Sequence, residues 1–199
     1  MKYKVILASG SPRRKELLEK AGVSFVVRTA DVDESLDEAL MACPEESCRV
    51  LAVRKAQAVV QLLMAEKTEQ PFVVLGSDTM VVCDGEIFGK PENNDHAHSM
   101  LSRLAGRTHQ VMTSVALLVV EEDVASTCSF VDISEVTFKA LTSADIYEYL
   151  AVGESFDKAG AYAIQSEGAR LVSGVEGSMD TVIGLPAERL MREYADILR

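Results

Sequence analysis

Tryptophan is absent from this 199-residue chain, and proline and glycine number only 5 and 12. With apolar residues at 48%, that scarcity excludes a collagen-like or disordered polypeptide. Positive charge is also in short supply: 20 Lys and Arg face 31 Asp and Glu, a net charge of −11. A DNA or RNA polymer calls for a basic footprint, so no nucleic-acid partner is expected, whereas a small anion held by a few placed cations remains open. Cys43, Cys48, Cys83 and Cys128 form no CxxC pair and no zinc-like grouping with His96, His98 or His109. They read as reduced thiols of a cytoplasmic protein. Long hydrophobic runs are missing too. The segment Met1–Ser9 holds only the apolar run Val5–Ala8, too short for the core of a signal peptide. No window approaches the roughly 18 apolar residues of a membrane span, so no membrane partner is expected.

What is present is an ordinary globular pattern, long enough to bury about 70% of its unfolded surface in one core. Val5–Ala8 suits a buried strand, followed by a helix from about Pro12 to Lys20 with Ser11 as N-cap and Gly22 past its end. Phe25–Val27 reads as a short strand, Asp31–Glu34 as an acidic loop and Pro44–Glu66 as a long helix. Phe72–Leu75 reads as a strand ending in Gly76-Ser77-Asp78-Thr79. Met80–Cys83 and Glu86–Phe88 flank the hairpin signal Asp84-Gly85. A helix from about Asp95 to Ala105 comes next, then an antiparallel pair over about Gln110–Val120 and Ser126–Lys139. A helix capped by Thr142 runs to about Ala151, and a strand is expected near Ala161–Ile164. A hairpin around Leu171–Val175 and a final helix from Pro186 complete the pattern. With no repeat and no linker, residues 1–199 form a single domain. Its class is α/β: a mixed, partly antiparallel twisted sheet with flanking helices and two lobes around a central cleft.

The sharpest local anomaly is Ser9-Gly10-Ser11-Pro12-Arg13-Arg14. Two arginines in a first helical turn oppose the macrodipole, and native sequences break such rules most readily at functional sites. Free N–H groups at the helix start and two planar guanidiniums would cradle phosphate oxygens. The alternative is that both arginines are solvated or paired with acids. Asp78 either activates water and binds Mg²⁺ or Mn²⁺, or caps a turn; Glu34 is either a second oxygen ligand or one more solvated charge. Lys55, Lys90 and Gln165 have functional readings only if they converge with the arginines. His96 and His98 lie two apart on a predicted helix and cannot share a metal, and His109 is expected to make a local hydrogen bond.

Leu7–Leu18 resembles the opening signature of the Maf family of nucleoside triphosphate pyrophosphatases. Further matches follow in order: Val32-Asp33-Glu34, Lys55-Ala56, Gly76–Thr79, Gly85–Ile87 with Gly89-Lys90-Pro91, Asp157–Tyr162 and Gly184-Leu185-Pro186. The series spans nearly the whole chain. The resemblance implies a cytoplasmic enzyme that cleaves a nucleoside triphosphate to monophosphate and pyrophosphate with a divalent metal such as Mg²⁺ or Mn²⁺. Its fold would have the two-lobed architecture of the inosine triphosphate pyrophosphatases, and a homodimer is common among such relatives.

The same resemblance carries the proton-accepting carboxylate onto Asp78 and substrate-binding roles onto Ser9, Arg13, Arg14, Lys55 and Lys90. It counts Glu34 among the polar site residues, and carboxylate chemistry makes Glu34 and Asp78 the expected metal ligands. The branch acting on dTTP and UTP has Arg, Thr and Gln at three selective positions, here Arg13, Thr79 and Gln165, and the run Gly106–Thr113 is similar to that branch. The alternatives are the same chemistry on another nucleotide, such as 7-methyl-GTP, or a nucleotide-sensing regulator of cell division. The base choice has a physical rationale. Uracil and thymine present acceptor, donor, acceptor, which a Gln amide and an Arg can match and cytosine cannot.

Overall fold

The computed structural model describes residues 2–199. Strand β1 (Lys4–Leu7) leads into helix α1 (Pro12–Lys20) and strand β2 (Phe25–Val27). A one-turn helix α2 (Glu38–Met41), not predicted from sequence, precedes the long α3 (Pro44–Ala65). Strands β3 (Phe72–Cys83) and β4 (Glu86–Phe88) form the expected hairpin, with Asp84 and Gly85 both left-handed at φ 53° and 79°. That geometry matches the twist of the flanking strands. Helix α4 (Asn94–Leu104) is followed by the antiparallel pair β5 (Thr108–Glu121) and β6 (Val124–Phe138). Helix α5 (Ser143–Leu150) starts at a capping box in which Thr142 and Asp145 bond each other reciprocally. Strand β7 (Val172–Glu176), helix α6 (Met179–Ile183) and helix α7 (Ala187–Leu198) end the chain.

Among the described residues seven strands make one sheet in the order β2-β1-β3-β5-β6-β7, with β4 paired to the far half of β3. β1 is parallel to β2 and β3, and the remaining pairs are antiparallel. This is the mixed α/β class read from the sequence. Side chains alternate between the two faces of β3. Phe72 and Val74 pack under α3 with Ala52, Ala56, Val59 and Leu63, and Met80 and Val82 meet Cys48 and Leu51 of the same helix. On the opposite face the core is divided. Val73 and Leu75 pack with Leu17, Leu18 and Leu190 of α1 and α7, whereas Val81 and Cys83 pack with Leu101 and Tyr149 of α4 and α5. The long strands therefore run through both lobes, and the division between lobes falls near Gly76–Thr79. Among the described residues no helix is long and apolar enough to cross a membrane.

Three local expectations are corrected. The strand from Phe72 does not end before Gly76. It runs unbroken to Cys83 because β5 pairs with it from Phe72 opposite Val120 to Val82 opposite Gln110. No strand forms at Ala161–Ile164. A 3₁₀ turn at Ala159–Ala161 takes up the start of that stretch and another at Ser166–Leu171 follows it, and Ala161 and Ser166 are left-handed at φ 62°. An extended ladder cannot continue through such residues. The expected hairpin at Leu171–Val175 is a single strand, β7, whose partner is the distant β6.

Candidate active site

The site is made by a gap in the sheet. On one side, β3 is paired by β1 only as far as Leu75, opposite Leu7, and β4 takes up pairing only at Val81, opposite Phe88. Between them Gly76–Met80 are held by β5 alone on the other side. A cavity of about 820 Å³ opens there. It is lined by Arg13, Arg14, Glu34, Lys55, Asp78 and Thr79, and also by Lys90 and Gln165. Eight of the nine candidates singled out by sequence therefore meet around one space. The exception is Ser9, which is buried behind it: its Oγ accepts from Arg14 Nη1 at 3.2 Å and from the Ser11 amide at 3.3 Å.

Asp78 is 8% exposed and faces α3. Lys55 Nζ lies 2.5 Å from Asp78 Oδ1 and 2.8 Å from Glu34 Oε1. The approach of helix to strand depends on Gly76, where an added Cβ would lie 2.2 Å from the Ala52 carbonyl oxygen of α3. The residue before Lys55 anchors the acidic loop: Arg54 Nη1 donates to the carbonyls of Asp33 at 3.2 Å and Ser35 at 2.7 Å. Burial would lower the Lys55 pKa, but Asp78 and Glu34 outweigh it and hold the ammonium above its ordinary value. Burial would likewise raise Glu34, yet its hydrogen bond to Lys55 and the charges of Lys55, Lys90 and Arg14 bring it below the ordinary range. Lys55 and Glu34 thus each favour their charged form in the other's presence.

The two arginines occupy the second and third positions of α1 but differ in engagement. Arg14 is committed on all three nitrogens: Nε donates to the Gly184 carbonyl at 2.9 Å, Nη1 to Ser9 and Nη2 to Thr79 Oγ1 at 3.1 Å. Burial, the largest influence, lowers its pKa, with Asp78 opposing and Arg13 assisting, but a guanidinium stays charged. Arg13 lines the same cavity and has no side-chain hydrogen bond among the described residues. Ser11 sits at the N-cap position with extended backbone, but its side chain makes no capping bond, so the first-turn amides are left to other acceptors.

The far wall comes from the stretch wrongly expected to be a strand. Gly160 N–H donates to the Gly89 carbonyl at 3.1 Å, tying this stretch to the turn that carries Lys90. Gly168 N–H donates to Glu154 Oε1 at 3.1 Å, and the Ala163 amide donates to Tyr149 Oη at 3.2 Å. These bonds position Gln165. Lys158, Asp157 and Glu154 also line the cavity, and sequence reasoning assigned them no role. The run Asp157–Tyr162 was itself the available signal.

Among the described residues no three His, Cys, Asp or Glu side chains gather to hold a metal ion, so a divalent ion would rest on Asp78 and Glu34 with oxygens from a ligand. The two carboxylates share the Lys55 ammonium, so a divalent ion would compete with Lys55 for them. The histidines lie elsewhere. His109 is 2% exposed and, instead of a local bond, reaches Tyr162 Oη from Nε2 at 2.8 Å across 53 residues of sequence. Its Nδ1 has no partner among the described residues, and burial pushes its pKa down to about 4. A second, shallower cavity of about 760 Å³ is lined by Glu45, Glu46, Asp84 and Glu135 and by no Lys or Arg, which disqualifies it for a polyphosphate.

The family model described as Maf-like protein matches residues 4–197. A dTTP/UTP pyrophosphatase of Bacillus cereus is 43% identical over 190 residues, covering 96% of this chain and 93% of the relative. Proteins of the same name from Bacillus cytotoxicus and Bacillus thuringiensis are 44% and 42% identical over the same shares.

Proposed function

This chain belongs to the Maf family, and from that premise and the geometry of its cavity we propose that it hydrolyses pyrimidine nucleoside triphosphates, dTTP and UTP, to the monophosphate and pyrophosphate. The observation that carries the reading is the shared cavity at the sheet gap, where Arg13, Arg14, Lys55 and Lys90 surround Asp78 and Glu34. Four cations suit a triphosphate, and a buried carboxylate among them suits a proton acceptor that no phosphate can approach unless its charge is neutralised.

In the proposed reaction a water oxygen bonds to the α-phosphorus as the bond from that phosphorus to the bridging oxygen breaks. The water proton passes to Asp78, and the electron pair leaves with pyrophosphate. Lys55, 2.5 Å from Asp78 Oδ1, orients the carboxylate that accepts that proton. Arg14, fixed by Gly184, Ser9 and Thr79, presents a preorganised charge. Arg13 and Lys90, less constrained, settle on the phosphates when they arrive. A divalent ion such as Mg²⁺ or Mn²⁺, held by Asp78 and Glu34, would neutralise phosphate charge and polarise the α-phosphoryl group when bound. Gln165, Thr79 and Arg13 select the base. The reading also places the enzyme in the cytoplasm, where its four free cysteines stay reduced, and makes it a homodimer.

A panel of dTTP, UTP, CTP and 7-methyl-GTP with Mg²⁺ or Mn²⁺ tests this, with product identification and heavy-oxygen water as solvent. The expected result is pyrophosphate, with the label in the monophosphate. Orthophosphate as the product, or 7-methyl-GTP as the best substrate, overturns it.

A further inference from the structure

Thr79 and Thr113 lie directly opposite each other on β3 and β5, with their hydroxyl oxygens 3.0 Å apart. Distance alone leaves open which one donates, but the next bond decides it. Thr113 Oγ1 is 2.7 Å from the carbonyl oxygen of Thr181, in the middle of α6, and a carbonyl can only accept. The single proton of Thr113 is spent there. Both threonines at the far end of this relay, Thr113 and Thr181, are fully buried, so no solvent competes for that bond. Thr79 must therefore give its own proton to Thr113. One of its two acceptor positions is taken by Arg14 Nη2 at 3.1 Å. What Thr79 has left for the cavity it lines is one lone pair and no hydrogen.

We propose that Thr113 is a positioning residue that makes Thr79 an obligate hydrogen-bond acceptor, so that the site favours a pyrimidine carrying an N3 proton over one whose N3 is bare. This deepens the proposed function and rests on it. A phosphate oxygen gains nothing from a lone pair, so Thr79 serves the base and not the triphosphate. Uracil and thymine offer an imide N–H to it. Cytosine offers a second lone pair, which repels the first and leaves both unpaired.

The test compares kcat/KM for UTP, dTTP and CTP in the unaltered enzyme, Thr113→Val and Thr113→Ser. Valine keeps the shape of threonine but cannot accept the Thr79 proton, which is then free to turn into the cavity. The expected result is a fall of about tenfold or more in the preference for UTP over CTP in Thr113→Val, with recovery in Thr113→Ser. An unchanged ratio, or an equal loss on all three substrates, overturns the inference, because a merely structural role would slow every substrate alike. Should the valine variant not fold, Thr113→Ala reads the same ratio with less crowding. Failure of the unaltered enzyme on all three triphosphates would instead remove the functional reading, and this inference with it.

Discussion

The ammonium of Lys55 lies 2.5 Å from Oδ1 of Asp78, a residue 23 positions later in the sequence and on a different element. The pair exists because Gly76, on the same face of β3 two residues before Asp78, lets α3 settle against the strand. A proton acceptor that must stay ionised among phosphates is served by such a partner.

Asp78→Asn keeps the shape and hydrogen-bonding reach of the side chain and removes its basicity. Turnover is expected to fall by about 10²–10⁴-fold, the range of general-base contributions, while triphosphate binding stays measurable. Pyrophosphate release and equilibrium binding check this together. Full activity would remove Asp78 from the chemistry.

Gly76→Ala should be costly although the change is one methyl group. The new Cβ would meet the Ala52 carbonyl oxygen at 2.2 Å and the Ala56 amide nitrogen at 2.9 Å, and neither backbone atom can turn aside. A loss of about 1–3 kcal/mol is expected from this overpacking. Lys55 sits between those two alanines, so activity should fall in the same variant. Denaturant unfolding paired with kinetics measures both; a stable, fully active alanine variant would show that α3 does not set the position of Lys55.

The buried His109 predicts an acid sensitivity unrelated to the cavity's charges. Its pKa is near 4 in the folded protein against an ordinary 6.5, so between those values the unfolded chain binds the extra proton. Stability therefore declines as pH falls from about 6.5 to about 4, by about 3 kcal/mol from this one group. In His109→Gln that part of the slope should vanish. Unfolding free energies of both proteins across the window give the difference directly, and parallel curves would contradict a buried neutral imidazole.

Gln165 is placed by a loop, not by a strand, and its amide is the group most able to match both an acceptor and a donor on a base. Gln165→Ala should erode the preference among dTTP, UTP and CTP more than it slows the best of them. The substrate profile is the readout, and a profile identical to that of the parent would take Gln165 out of base selection.

The legible part of this protein was the part written in short stretches. Short apolar runs marked the strands, Thr142 announced the start of α5, Asp84 and Gly85 announced a turn, and two arginines at the start of α1 advertised an anion site. Each is decided by contacts within about one turn of chain, where the neighbours are known from the sequence itself. Tertiary structure alone decided the rest. β3 runs through Gly76–Thr79 because β5, with partners from Ala116 back to Thr113, supplies its hydrogen bonds, and the cavity exists because β1 stops at Leu7 before β4 begins. Likewise, the division of labour between Arg13 and Arg14 depends on Gly184, a residue 170 positions from Arg14. The proton order along Thr79, Thr113 and Thr181 depends on three elements meeting in one place. Local preference operates along the chain, whereas pairing, burial and charge act through space, and only the folded molecule says which distant residues share it.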